Sequence, residues 1–195
     1  LWLGQSDVVG HGLGGMVALD LLRRYPERFR RAVLLEGWGA TRYSTRLGDP
    51  YADLAPSVSR DVEAMYNDTY VRWMPGVRDS FWLGLDRFDA TAFLASTHHP
   101  VLALYGDRGR ARPAAADLGI PGNDAVELRW VRDGTHFFLL QDPATIGGVI
   151  REWLFDDDTD ADDESEQSPR PIPDMRQLAM QRRPVVSMPK GPWPN

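Results

Sequence analysis

Between Asp7 and Arg24 the chain passes from a short apolar run, Asp7-Val8-Val9-Gly10, through a glycine-dense turn, Gly10-His11-Gly12-Leu13-Gly14-Gly15, into residues spaced as a helix. The expectation is a strand, a tight turn and a helix from Gly15 to Arg24 with Met16, Val17, Leu21 and Leu22 on one face. Pro26 closes that helix, and Ala32-Val33-Leu34-Leu35 reads as a second, buried strand. Val101 to Tyr105, entered from Pro100 and closed by Gly106, reads as a third. Val126 to Val131 alternates as a fourth, and Asp142 to Phe155 is an amphipathic helix opened by Asp-Pro. Strands that alternate with helices predict an α/β fold, a parallel sheet with flanking helices on both faces.

Two segments leave this rhythm. Residues 40–99 scatter Tyr43, Tyr51, Tyr66, Tyr70, Trp73, Phe81, Trp82, Phe88 and Phe93 among polar residues without strand alternation. They read as a helical cap inserted into the core, either a satellite core or a lid over a pocket. The last 40 residues hold 7 of the 15 prolines and open with eight carboxylates between Asp156 and Glu166. Such a stretch cannot bury enough apolar surface to offset its ordering entropy, so residues 156–195 are expected to be a disordered tail. Within it, Asp174 to Gln181 has the spacing of a short helix for a protein partner, although a solvated tail is the first expectation. The organisation is then 1–39 and 100–155 as core, 40–99 as cap and 156–195 as tail.

Composition removes several function classes. The net charge is −6, and of the 22 basic residues only Lys190 is lysine, with no basic block beyond short Arg pairs; nucleic acid is not an expected partner. No apolar run spans a membrane and no leader pattern opens the chain. The absence of Cys removes disulfides, thiolate metal sites and a Cys nucleophile, and fits a cytoplasmic protein. His98-His99 lacks helical ligand spacing, and no phosphate-loop pattern accompanies the glycines, so neither metal nor cofactor is expected.

The stretch Asp7-Val-Val-Gly-His-Gly-Leu-Gly-Gly-Met16, with the following helix and the strand Ala32 to Leu35, resembles the α/β-hydrolase superfamily. Pro100-Val-Leu-Ala-Leu-Tyr-Gly-Asp107 looks like the strand that leads to that family's catalytic acid. Asp133-Gly-Thr-His136, followed by Gln141-Asp-Pro143, looks like its histidine loop. The resemblance covers residues 1–155. It implies a nucleophile elbow whose glycines are Gly10, Gly14 and Gly15, an oxyanion N–H at Leu13, and a catalytic His136. It also implies that Asp7 to Gly10 is the fifth strand of eight, so that the preceding strands would be missing and an apolar sheet edge exposed.

The chain departs from the family at two of three triad positions. Gly12 stands where the family has a nucleophile, and Gly109 stands at the usual acid position, with Asp107 two residues earlier as an alternative acid. Glu36, at the end of the second strand, resembles the acid that some dehalogenases and cofactor-free dioxygenases of the superfamily place there. A Glu36–His136 dyad would fix the imidazole tautomer and make His136 a general base, whereas otherwise Glu36 merely ends a strand beside solvent. Trp38, Trp73 and Trp82 are the expected roof of the pocket, and His11 is expected to be packed beneath the turn. The resemblance implies a hydrolase of small esters, lactones or epoxides. The vacated triad implies the alternative, a non-catalytic binding protein like the N-myc downstream-regulated family, or a gene fragment.

Overall fold

The computed structural model describes residues 4–71 and 77–155, and omits the side chains of residues 68–71, 77–79, 81 and 82. Four parallel strands, β1 (Ser6–His11), β2 (Phe29–Leu35), β3 (Val101–Gly106) and β4 (Val126–Val131), lie in the order β1-β2-β3-β4. Register pairs His11 with Leu35, Leu35 with Leu104 and Gly106 with Val131. All four strands therefore finish at one end of the sheet. The connecting loops there bring residues distant in sequence within bonding distance, as expected for an open α/β sheet.

The core follows from two-residue periodicity on the central strands. Val33, Leu35, Leu102 and Leu104 face one way and pack against Phe138, Ile146 and Leu154. Ala32, Leu34 and Val101 face the other way, against Ala18, Leu19 and Leu22 of α1 (Leu13–Arg24) and Leu94 of α4 (Thr91–Ser96). β3 is buried along its whole length, which its uninterrupted apolar run requires. β1 pairs only with β2 among the described residues, and Val9 on it is 45% exposed.

Helix α1 begins at Leu13, two residues before the expected start. Its buried face is Gly15, Ala18, Leu19 and Leu22 with Met16, a spacing of three, four and seven. Val17, expected on that face, is 48% exposed, because it lies one residue off the stripe. Arg23 and Arg24, both paired with Asp20, end the helix where cations favour its dipole. At the other face, after the short α5 (Phe138–Gln141), Asp142 caps α6 (Pro143–Phe155), accepting from the Thr145 N–H at 3.1 Å, with Pro143 at the first helical position. Buried Arg31 of β2 donates to the Leu154 carbonyl at 2.9 Å and satisfies the other end of α6.

Between β2 and β3 run a 3₁₀ turn (Thr41–Tyr43), α2 (Pro56–Val71), α3 (Val77–Asp86) and α4. The segment is not one unit. Ala90 and Leu94, with Phe88 and Phe93 against them, belong to the main core, whereas Val58 and Val62 of α2 pack on Phe137. Residues 156–195, including the Asp174 to Gln181 segment, lie outside the described residues. No helix among the described residues is long and apolar enough to cross a membrane.

The elbow is closed by a backbone contact. A Cβ on Gly15 would lie 2.5 Å from Gly37 Cα, so the first turn of α1 and the loop after β2 approach more closely than any side chain allows. Gly15→Ala is accordingly expected to destabilise the chain by roughly 1–3 kcal/mol. Gly147→Ala, inside α6 with nothing within 4 Å of its Cβ position, should stabilise it by about 0.5–1 kcal/mol. Urea titration of both variants checks the pair; a Gly15→Ala midpoint equal to the parent would contradict the close approach.

Candidate active site

The turn from β1 into α1 sets the site's floor. Gly12 adopts φ 52 and ψ −116, a left-handed backbone that strains any residue with a Cβ. Its N–H donates to Leu35 O at 2.8 Å, which ties the turn to the end of β2. A Cβ at this position would lie 3.1 Å from Nε2 of His136 and 3.3 Å from its Cε1. The elbow therefore keeps the conformation that presents a side chain to the histidine, and presents none.

His136 comes from the loop after β4. Thr135 anchors that loop, its N–H and hydroxyl both donating to Gln141 Oε1, at 2.8 and 2.9 Å. His136 is 7% exposed and donates from Nδ1 to Glu36 Oε2 at 2.8 Å, and its Nε2 is directed at Gly12. Glu36 is 1% exposed and sits at φ 48 immediately after β2. Gly106 N–H donates to its Oε1 at 2.9 Å. Arg108 grips both oxygens, Nη1 on Oε1 at 2.9 Å and Nη2 on Oε2 at 2.8 Å. Burial alone would push the Glu36 carboxyl up, but the bonds from His136 and Arg108 and the Arg108 charge outweigh it and hold the carboxyl below its usual range.

Sequence reasoning missed Arg108 and placed two other residues differently. Asp107, the alternative acid, makes no bond to His136. Its Oδ1 accepts from the N–H groups of Gly109 (3.0 Å) and Asp133 (2.7 Å), and its Oδ2 from Arg112 at 3.0 Å. It pins the loops after β3 and β4 together, so the histidine's carboxylate comes from the end of β2. His11 is not packed beneath the turn but stands in the cavity wall, donating from Nε2 to the His136 carbonyl at 2.8 Å, its ring 4.5 Å from the His136 ring.

A cavity of about 790 Å³ opens over these groups. His11, Gly12, Leu13, Met16, His136 and Phe137 line it from the sheet side. Trp38 lines it from the loop after β2, and Thr41, Ser44, Thr45, Gly48 to Tyr51, Met65, Tyr66, Leu85 and Asp86 line it from the insertion. The Trp38 ring lies parallel to His136, 2° apart with centroids at 5.8 Å. Of the other two expected roof residues, Trp73 and the Trp82 side chain lie outside the described residues. No group of three or more metal-ligating side chains occurs among the described residues.

His11 makes stability depend on acid. Burial, with the neighbouring His136, pushes its pKa down from 6.5 to about 4. The unfolded chain then binds the His11 proton at higher pH than the folded one, so this stability is fully present above about pH 6.5 and is lost as pH falls toward 4. The loss amounts to about 3 kcal/mol at one pKa unit per 1.36 kcal/mol. Denaturant titrations of the parent and His11→Gln from pH 4 to 7 check this. The variant should show a shallower decline, and parallel curves would remove His11 as the cause.

No family model matches the chain. Among solved structures, the chain is similar to Est816, an N-acyl homoserine lactone degrading enzyme, with TM-score 0.58 and 19% identity over 77% of this chain and 68% of that one. It is similar to a thermophilic esterase, with TM-score 0.57 and 20% identity over 80% of this chain and 68% of that one. An α/β-hydrolase enzyme from the metagenome of Mar Chica lagoon sediments, Morocco, matches with TM-score 0.50 and 16% identity, over 80% of this chain and 63% of its own. This chain thus spans about two-thirds of the length of these proteins. At such identities the shared property is the architecture, and these residues have the α/β-hydrolase fold.

Proposed function

We propose that the chain is a hydrolase of small organic esters, lactones or epoxides in which His136, oriented by Glu36, activates water directly. The observation that carries this reading is the aim of His136 Nε2 at the position over Gly12 while Nδ1 is tied to a carboxylate. Water at hydrogen-bond distance from Nε2 loses a proton to it as its oxygen attacks the electrophilic carbon. The imidazolium, stabilised by Glu36, returns that proton to the departing oxygen. The N–H of Leu13, at the start of α1, is suited to stabilise charge developing on a carbonyl oxygen. The lactone- and ester-cleaving activities named for the neighbours support the substrate class. In this reading residues 40–99 form the cap, of which the part before Phe88 covers the cavity, the substrate is a small molecule, and the reaction takes place in the cytoplasm without metal or cofactor.

General-base catalysis without a nucleophile contributes about 10²–10⁴ in rate. His136→Ala should remove turnover across a panel of small esters and lactones, and Glu36→Gln should lower kcat by about tenfold or more through loss of the tautomer. Turnover unchanged in His136→Ala contradicts the assignment.

Gly12 itself favours a second reading, a protein that keeps the fold for binding alone. Gly12→Ser separates the two. A Cβ at 3.1 Å from Nε2 needs the imidazole to yield by a few tenths of an ångström. If the site is otherwise intact, the variant becomes a serine esterase with faster turnover than the parent. A folded but inert Gly12→Ser favours the binding reading.

A further inference from the structure

The loop after β3 carries no acid toward His136, yet it reaches the site with a cation. Arg108 is 4% exposed at its side chain and has φ 54, a backbone conformation rare for a residue with a Cβ. Its N–H donates to Gly134 O at 3.0 Å, which ties it to the histidine loop. Its guanidinium spans both oxygens of Glu36 and also donates from Nη1 to Gly106 O at 2.7 Å. Its Nε is the one buried side-chain nitrogen or oxygen without a partner among the described residues.

A purely structural role explains this poorly. A buried ion pair at best breaks even against apolar residues of the same shape, and a left-handed backbone and an unpaired buried N–H both add cost. Both Nη atoms of the fork bond Glu36, and strained residues occur at both ends of the contact. Backbone outliers that a structure over-determines are concentrated at functional sites.

We propose that Arg108 is a positioning residue: its fork locks the Glu36 carboxylate in the one orientation that accepts His136 Nδ1–H, and its charge offsets that of the carboxylate. This rests on His136 acting as the base. The titratable or charged groups at the imidazole are Glu36 from β2, Arg108 from the loop after β3 and His11 from β1; Asp107 is bonded instead to Arg112 and to the N–H groups of Gly109 and Asp133. A carboxylate alone beside a histidine favours the imidazolium, which is no longer a base. A carboxylate already paired with Arg108 favours it less. Arg108 therefore holds the carboxylate in the orientation that aims Nε2 at the cavity.

The test uses the full chain with ¹⁵N-labelled histidine, read at high pH for the His136 tautomer, together with pH profiles of kcat on a small ester. In the parent the Nδ1–H tautomer dominates. Arg108→Met, which keeps the volume and removes the charge, should move the acid limb of the profile alkaline by on the order of one pH unit. Arg108→Lys, which keeps the charge and removes the fork, should leave the limb in place, mix the two tautomers and lower kcat more than it raises KM. If Arg108→Met does not fold, the Lys variant carries the test alone. A parent-like tautomer in Arg108→Lys, or an unmoved acid limb in a folded Arg108→Met, overturns the proposal and leaves Arg108 structural. Tautomers that respond to Arg108 in a protein without turnover would uphold the lock and remove the base role of His136, so the two failures are distinguishable.

Discussion

The structure of the site depends on one buried carboxylate. Glu36 is 1% exposed, and an ionised carboxylate so placed is tolerable only when its lone pairs are filled by donors. Its donors come from three places: the end of β3 (Gly106), the loop after β3 (Arg108) and the loop after β4 (His136). A single side chain at the end of β2 therefore fixes the three neighbouring strand ends. The left-handed backbone at Glu36 is the conformational cost of turning its side chain inward.

The rest of the fold makes that convergence possible. Parallel pairing places His11, Leu35, Gly106 and Val131 at one end of the sheet, and buried apolar faces on both sides of β2 and β3 hold the ends in register. The Gly15–Gly37 contact then draws the start of α1 against the residue that follows Glu36. The elbow and the carboxylate are consequently adjacent because of close packing rather than a direct bond between them. Gly12 inherits the strained conformation of a nucleophile-bearing turn. What it offers the cavity is space in front of an imidazole.

Strands, the elbow, His136 and the location of Glu36 were legible because each has a local signature: an apolar run, a glycine where a Cβ would collide, a residue type at a strand end. Arg108 had no such signature. Gly106-Asp107-Arg108-Gly109 reads as a polar turn, and only the approach of a carboxylate 72 positions away draws the arginine inward. An arginine at the carboxyl end of a strand beside an acid position is the one hint present. Asp107 was misjudged for the same reason, since its partners are N–H groups of two loops that meet only in the folded chain. His11 was placed beneath the turn because strand periodicity says which face a residue takes but not what the neighbouring loop brings to it. The division of residues 40–99, with Leu94 in the main core and Val62 against Phe137, likewise depends on packing that aromatic content alone cannot apportion.

The central claim is that His136, held by Glu36, acts on a molecule placed over Gly12. A crystal structure of the protein with a small alkyl boronic acid tests it most directly, because the hydrated tetrahedral boronate mimics the intermediate of direct water attack. The account predicts an intact tetrahedral boronate with one hydroxyl about 3 Å from His136 Nε2 and another within reach of Leu13 N–H. A boronate bound elsewhere, or an imidazole turned away from Glu36, would contradict it.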